Sequence, residues 1–551
     1  KITFLYRWWH GMLATAFAVF FMYVFFIVFV EVYKEPEVTL DIGQVQGRTS
    51  PVLKLNVFYG IPYAKPPVGH LRFRKPEPMP PSSRILDARN MRYPCVQGSY
   101  FAFDRTLIEA GNASEDCLHL NIYAPQRSED VAGTRGGVLN PVFVLLLGWD
   151  FGHGSNSYSF ADASRFAEKA RAVVVVPNYR LGAFGFMRSE QQKSPGNMGL
   201  LDQALMLRWV RDNILSFGGN PHNVVLLGQG TGGTTAGYNL LSPMTRGFTR
   251  RAILHSGSPL MPFPEERGDP IEGTATGLHC PDLGQRQDVD PVSLVQCIHR
   301  TPTGRLRDAL EGKFYPVYGD AYLPDKFSGL VRASGDTAGT VLVGNVQNEG
   351  DLLVAHEFRN LTEKELSTDS LGDIEARLLA YLQGYRVSNL TTIIRRYYEE
   401  LRHAAGHVTF FRLAADLLGD MLFVCPMQLY ADIYSAAGND VYYFLFRYKP
   451  STTLLPAGNL VGDGATQMDD LAVLFGVGLD NTDEEDFFEV MAGIWARFGK
   501  NGDLPVIVNQ SWPRYTGSRR NYVLLNHNHM SITTKFRDIY CDMWRPYLRG
   551  R

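Results

Sequence analysis

Apolar residues along this 551-residue chain fall into two kinds of run. The short, nearly continuous ones are Val142 to Leu147 (VFVLLL), Ala172 to Val176 (AVVVV), Asn223 to Leu227 (NVVLL) and Arg251 to Leu254 (RAIL), a pattern of strands buried on both faces. Between the second and third lies LLDQALMLRWVRDNI, Leu200 to Ile214, apolar at helical spacing. Strands alternating with helices predict an α/β fold with a parallel sheet and crossover connections. VYYFLF at 441–446 predicts a further strand, and 361–435 predicts mainly helix. No internal repeat or low-complexity block interrupts the pattern.

The second kind of run occurs once. From Gly11 to Val30 there is no charged residue, and at about 1.5 Å rise per residue the stretch matches the roughly 30 Å hydrocarbon core of a bilayer. Lys1, Arg7, Trp8 and Trp9 precede it; Glu31, Glu35, Glu37 and Asp41 follow, with Tyr33 and Lys34 among them. Positive charge on the N-terminal side predicts a cytoplasmic N-terminus and a C-terminal domain outside. The run ends in VFVEVYKEP, which offers no small-residue cleavage site, so a retained signal anchor is expected over a cleaved signal peptide. The expected organisation is 1–10 as a cytoplasmic tail, 11–30 as the transmembrane anchor and 31–551 as one extracellular domain. The opening on Lys1 leads us to expect further cytoplasmic sequence before it.

A formal net charge of −2 provides no basic field for nucleic acid. Six cysteines, Cys95, Cys117, Cys280, Cys297, Cys425 and Cys541, lie beyond the apolar run, where an oxidising compartment would pair them. Sequons at Asn112, Asn360, Asn389 and Asn509 fall on the same side. Both agree with a type II plasma-membrane protein that passed through the secretory path.

Residues 224–237, VVLLGQGTGGTTAG, pose a choice. Gly228, Gly230 and Gly233 satisfy the G-x-G-x-x-G of dinucleotide sites, and Gly228 to Gly232 is also a G-x-S-x-G elbow with glycine for serine. A dinucleotide site wants an acidic residue about twenty positions on, for the ribose. That region reads RRAILHSGS, so no nucleotide cofactor is expected.

Five stretches settle the choice by resemblance. IPYAKPPVGHLRF (61–73), SEDCLHLNIYAP (114–125), NYRLGAFGF (178–186), GNMGLLDQALMLRWVRDNILSFGGNP (196–221) and RAILHSGSP (251–259) occur in the order of the cholinesterase and carboxylesterase family. The chain resembles that family from about residue 38 onward. The resemblance implies an α/β-hydrolase fold, behind the N-terminal transmembrane helix, and disulfides Cys95 with Cys117, Cys280 with Cys297, and Cys425 with Cys541.

It also implies where a triad would stand, and the residues there differ. An esterase needs a nucleophile, a histidine base, an orienting carboxylate and amides aimed at the oxyanion. The family's G-E-S-A-G is here Gly228, Gln229, Gly230, Thr231, Gly232, so Gly230 takes the nucleophile position. Counting back from Gly476 places Gln467 where the histidine belongs, and an amide is no base near neutral pH. Glu349 in QNEGD matches the acid. The oxyanion loop H/Y-G-G-G-F becomes Leu147, Gly148, Trp149, Asp150, Phe151, an indole and a negative charge in place of two glycines. Thr231 is one residue off the nucleophile position and should point elsewhere. The Cys95–Cys117 segment lacks the tryptophan with which cholinesterases bind choline.

Other candidates receive plainer readings. His153, His255, His527 and His529 are expected to be surface or hydrogen-bonded histidines, with no H-x-x-x-H pair or cysteine cluster to hold a metal. Asp469 and Asp470, beside Gln467, are expected to be solvated or capping. The resemblance points to the non-catalytic adhesion branch of the family, which implies heterophilic adhesion to an extracellular protein such as a secreted immunoglobulin-domain protein, with homodimerisation left open. The rival expectation is an unorthodox ester hydrolase or a small-ligand pocket on the same fold.

Overall fold

The computed structural model describes residues 15, 17–23, 35–97, 113–126, 138–189, 194–264, 291–309, 314–335, 339–453, 464–507, 509–527 and 529–549. The apolar runs form the middle of an eleven-stranded sheet. In chain order its strands are β1 (Arg48–Ser50), β2 (Leu55–Pro62), β3 (His119–Pro125), β4 (Asn140–Gly148), β5 (Val173–Pro177), β6 (Gly219–Gly230), β7 (Arg251–His255), β8 (Thr340–Val346), β9 (Val441–Phe446), β10 (Asn521–Leu525) and β11 (Ser531–Thr534). They lie side by side as β11-β10-β9-β8-β7-β6-β4-β5-β3-β2-β1. From β10 to β5 every pair is parallel, and the outer pairs are antiparallel. Covered on both faces, the central strands can be apolar at every position, and Val142 to Leu146 and Val173 to Val176 are fully buried.

Parallel strands need crossovers, and the predicted helix is one of them: α1 (Met198–Asn213) joins β5 to β6. The next, α2 (Thr231–Leu241), starts directly from the end of β6 and is buried along its whole length. Its small residues set how close it lies: a Cβ on Gly232 would meet the Leu146 carbonyl oxygen at 1.9 Å. The glycines of 228–233 therefore serve helix-on-strand packing. Register aligns Gly148 with Gly230, Gln229 with His255, and His255 with Gly344, so four strand ends meet at the carboxyl edge of the sheet. In open α/β sheets that edge carries the site.

The predicted helical region 361–435 is helical, ending in α4 (Phe410–Gly419) and α5 (Cys425–Ala436); α3 (Asp351–Glu357) precedes it. Later come α6 (Asp469–Phe475), α7 (Thr482–Asn501) and α8 (Asp538–Arg549). Cys95 pairs with Cys117, and Cys425 with Cys541, which ties α5 to α8. Cys297 is also disulfide-bonded, and Cys280 lies outside the described residues.

Of the apolar run 11–30, residues 15 and 17–23 are described; they are helical, with Phe17, Val19, Phe20, Phe21, Met22 and Tyr23 exposed. No helix among the described residues is long and apolar enough to cross a membrane. The rest of the run lies outside them.

One buried ion pair holds the loop after β5 to α1. Arg180 donates from Nε and Nη2 to the two oxygens of Asp202 at 2.8 and 2.6 Å, and from Nη1 to the Arg74 carbonyl at 2.8 Å. Neither side chain reaches solvent appreciably, and removing one member of such a pair strands the other charge. Asp202→Asn should therefore cost about 3–5 kcal/mol in chemical denaturation; a loss under about 1 kcal/mol would show that water reaches the pair.

Candidate active site

At the elbow, Gly230 has φ 57° and ψ −125°, a conformation that residues with a side chain adopt only under strain. A Cβ built there would sit 2.6 Å from the carbonyl oxygen of Gly148. The position thus lacks a nucleophilic oxygen and is packed too closely by backbone to gain one freely. Thr231, next along, is buried, and its Oγ1 accepts the amide of Phe151 at 3.3 Å. Its hydroxyl serves the neighbouring loop.

That loop spends its amides on itself. Trp149 N–H donates to the His153 carbonyl at 2.9 Å, and the Gly152 and His153 amides both return to the Trp149 carbonyl at 3.0 Å. Asp150 and Phe151 are both left-handed, at φ 48° and 53°. Phe151 is buried against Phe186 and Phe263, with ring centroids 4.9 and 5.3 Å away. An oxyanion hole needs free donors converging on one point; here the Trp149 and Phe151 amides already have acceptors. Asp150 lies beside Tyr315, whose hydroxyl is pushed upward in pKa by burial and then by this carboxylate. The space left where a substrate would sit, bordered by Trp149, Asp150, Gly230, Thr231, Tyr381 and Phe423, is about 40 Å³. Ligand pockets run to roughly 300–1,000 Å³.

Behind the elbow the acid position is intact and isolated. Glu349 follows β8; its Oε1 accepts from Asn345 Nδ2 at 2.6 Å and from the Val346 amide at 3.1 Å, while Oε2 has no hydrogen bond. Burial pushes its carboxyl up to about 8, against the pull of the Asn345 and Ser256 side chains. A bridge between Asn348 and Thr466 brings Gln467 alongside it. The two do not bond: both polar atoms of Gln467 are buried without a hydrogen-bond partner. The Asn348–Thr466 bridge thus places Gln467 near Glu349 without a hydrogen bond between them.

Asp469 and Asp470 correct the expectation of solvated carboxylates, since both are buried. Asp469 does cap, accepting the Thr466 amide at 2.7 Å, and burial pushes it up to about 7. Asp470 instead meets His255 Nδ1 at 2.5 Å. The Trp495 indole, which can only donate, reaches His255 Nε2 at 3.0 Å. That assigns the ring proton to Nδ1, directed at Asp470. His255 is thus hydrogen-bonded, one of the two expected readings, and forms with Asp470 a buried imidazole–carboxylate pair that the sequence reading did not anticipate. The available signal was position: His255 ends a central parallel strand, where functional side chains gather. Both of its nitrogens are occupied and the ring is fully buried, so it offers no base to a substrate. His153 and His527 are partly buried, and His529 is exposed.

Residues 34–544 match the carboxylesterase family. The chain is 30% identical to an acetylcholinesterase of Bungarus fasciatus over 546 residues, covering 93% of this chain and 86% of that protein. It is also 30% identical to one of Electrophorus electricus, covering 97% and 92%, and 28% identical to one of Leptinotarsa decemlineata, covering 92% and 85%.

Two measurements probe this geometry. Folded Glu349 keeps its proton up to about 8, whereas the unfolded carboxyl loses it near the ordinary 4.5. Its contribution is complete below the lower value and is lost as pH rises towards the upper one, by at most about 1.4 kcal/mol per pH unit. Asp469 adds a decline of the same sign that ends near 7. Glu349→Gln should make stability fall less steeply between those limits; an unchanged slope would mean that Glu349 is ionised. Gly230→Ser should lower stability by about 1–3 kcal/mol through backbone strain, and unchanged thermal unfolding would show that the elbow has room.

Proposed function

The chain belongs to the carboxylesterase family, and from that premise we propose that this member does not hydrolyse esters and acts as a cell-surface recognition protein. The reading is of the neurotactin type: a single-pass type II protein in the plasma membrane whose esterase-like domain outside the cell takes part in heterophilic adhesion. The observation that carries it is the closed, side-chain-free elbow at Gly230. Gln467 in place of a base and an oxyanion loop bonded to itself support it from two other directions. The similarity to acetylcholinesterases concerns proteins whose names denote hydrolysis, and this chain departs from the family pattern at the atoms that hydrolysis requires.

Display outside the membrane draws support from features far from the site. Asn360, Asn389 and Asn509 are all exposed, as glycan attachment requires; Asn112 lies outside the described residues. Disulfides are the bonds of an oxidising compartment. Among the described residues the apolar side chains of 17–23 are exposed, and lipid would cover them. The partner this reading calls for is an extracellular protein, an immunoglobulin-domain protein among the candidates. The alternative reading, a hydrolase or ligand pocket at the elbow, has a space of about 40 Å³ there to work in.

Full-length protein in membranes, incubated with a fluorophosphonate probe and an aryl ester, should show neither labelling nor turnover above a denatured control. Beads carrying the domain should bind cells that display a partner and should not cluster with one another. Stoichiometric labelling at any residue would overturn the non-catalytic reading, and self-clustering would overturn heterophily.

A further inference from the structure

Soon after the apolar run, the chain is already fixed to the domain. Arg89 Nη1 donates to Glu35 at 2.8 Å, and the Pro36 carbonyl accepts the Gly47 amide at 2.9 Å. Glu37 then opens a strand, Glu37–Leu40, of a small three-stranded sheet with Gly43–Gln46 and Ile85–Asp87. Only residues 31–34 separate Glu35 from Val30, the expected end of the span. Fully extended, the five steps from 30 to 35 cover at most about 18 Å, of which the headgroup layer takes about 5–8 Å. A domain of this length has a radius of gyration of about 24 Å. It can tilt on so short a tether, but it cannot turn the Glu35 surface away from the membrane.

Ile85 and Asp87, two residues apart on one strand, share a side of it. Arg89 donates to the two oxygens of Asp87 at 2.8 and 2.9 Å, and so joins that side to Glu35. Ile85 is 60% exposed, and just beyond Arg89 come Met91 and Tyr93, 39% and 59% exposed. The segment RILDARNMRY (84–93) therefore sets three exposed apolar side chains among Arg84, Arg89 and Arg92. A bilayer interface suits that composition: tyrosine rings, aliphatic groups and arginine stems reach the acyl boundary while their polar ends stay among the headgroups. Over 35–37 and 84–93 the charges cancel, since the three arginines face Glu35, Glu37 and Asp87. Glu37 is held by Gln44 and Gln46, and Arg92 acts on Asp87 from farther off than Arg89. A balanced surface of this kind fits zwitterionic headgroups and has no need of an acidic lipid.

We propose that segment 84–93 rests on the phospholipid bilayer that holds the anchor, with Ile85, Met91 and Tyr93 entering the interface and Arg84 and Arg92 bonding lipid phosphates. The proposal rests on the reading of 11–30 as a transmembrane anchor. It adds a surface to that reading: the domain stands on this side and offers the remainder to partners.

The test is hydroxyl-radical footprinting of the unmodified full chain in phosphatidylcholine nanodiscs. The chain supplies its own control, since Met244 is 43% exposed against 39% for Met91. Met91 should be oxidised at least about fivefold more slowly than Met244 if lipid covers it. Benzoylphenylalanine placed at position 93 should form lipid adducts, and placed at the similarly exposed position 539 should form none. Ile539 lies in α8, which Arg520 holds beside β10, at the far side of the sheet from β2. Carbonate extraction of the expressing membranes separates the two readings. Protein that resists extraction, yet oxidises both methionines equally or forms no lipid adduct at 93, overturns the contact and leaves the anchor standing. Release by carbonate overturns the anchor reading and the contact with it.

Discussion

Backbone pressed on backbone at the carboxyl edge of the sheet is the constraint on which the rest of this site depends. Helix α2 leaves β6 with no intervening loop and lies so close to β4 that Gly232 has no space for a methyl group beside the Leu146 carbonyl. Gly257, approaching from beyond β7, is just as tight against the Gly230 carbonyl. A chain packed this way cannot relax a strained residue by shifting it. In an esterase the same rigidity holds a nucleophile up to its substrate. With glycine at 230 the rigidity remains and the strain disappears, because glycine occupies that φ without steric cost.

The polar groups behind the elbow are only partly satisfied. Glu349 accepts two hydrogen bonds on one oxygen and none on the other, with no imidazole behind which to share a proton. Gln467 reaches the right place and bonds to nothing there. A buried polar group without a partner costs about 1–3 kcal/mol unless an internal water satisfies it, so this corner of the core is less favourable than an apolar one would be. Some compensation lies close by: His255, Asp470 and Trp495 form a short fully buried chain of hydrogen bonds that pins α6 and α7 to the end of β7.

Which parts were legible in the sequence follows from how local their causes are. The central strands announced themselves because burial on two faces leaves no polar position, and VYYFLF at 441–446 matches its strand at both ends. The elbow was legible because Gly230 stands inside a motif whose register is set by neighbours on both sides. Asp469 caps, as one of the two expected readings had it, but the burial of both carboxylates was not legible. Adjacent carboxylates look solvated in one dimension, and what buries them is the return of 464–468 against Asn348, a contact between segments more than a hundred residues apart. His255 was lumped with ordinary histidines because its partners, Asp470 and Trp495, are 215 and 240 residues away. The self-bonded turn of Trp149 to His153 was also hidden, since the substitutions showed only that glycines had been replaced and not where the amides would go.

Closure of the elbow region has a consequence for where this protein can act. An enzyme must keep a path for substrate, which requires cavities that lower its stability and loops that yield. Here Phe263 and Tyr315 stack with centroids 4.6 Å apart, Phe151 meets both rings edge-on, and the space bordered by Phe263 and Gly230 is about 40 Å³. Selection for turnover would oppose such filling; selection for a stable outer surface would not. On the proposed reading, Gly230, Gln467 and the small space beside the elbow are separate features that bear on one chemistry.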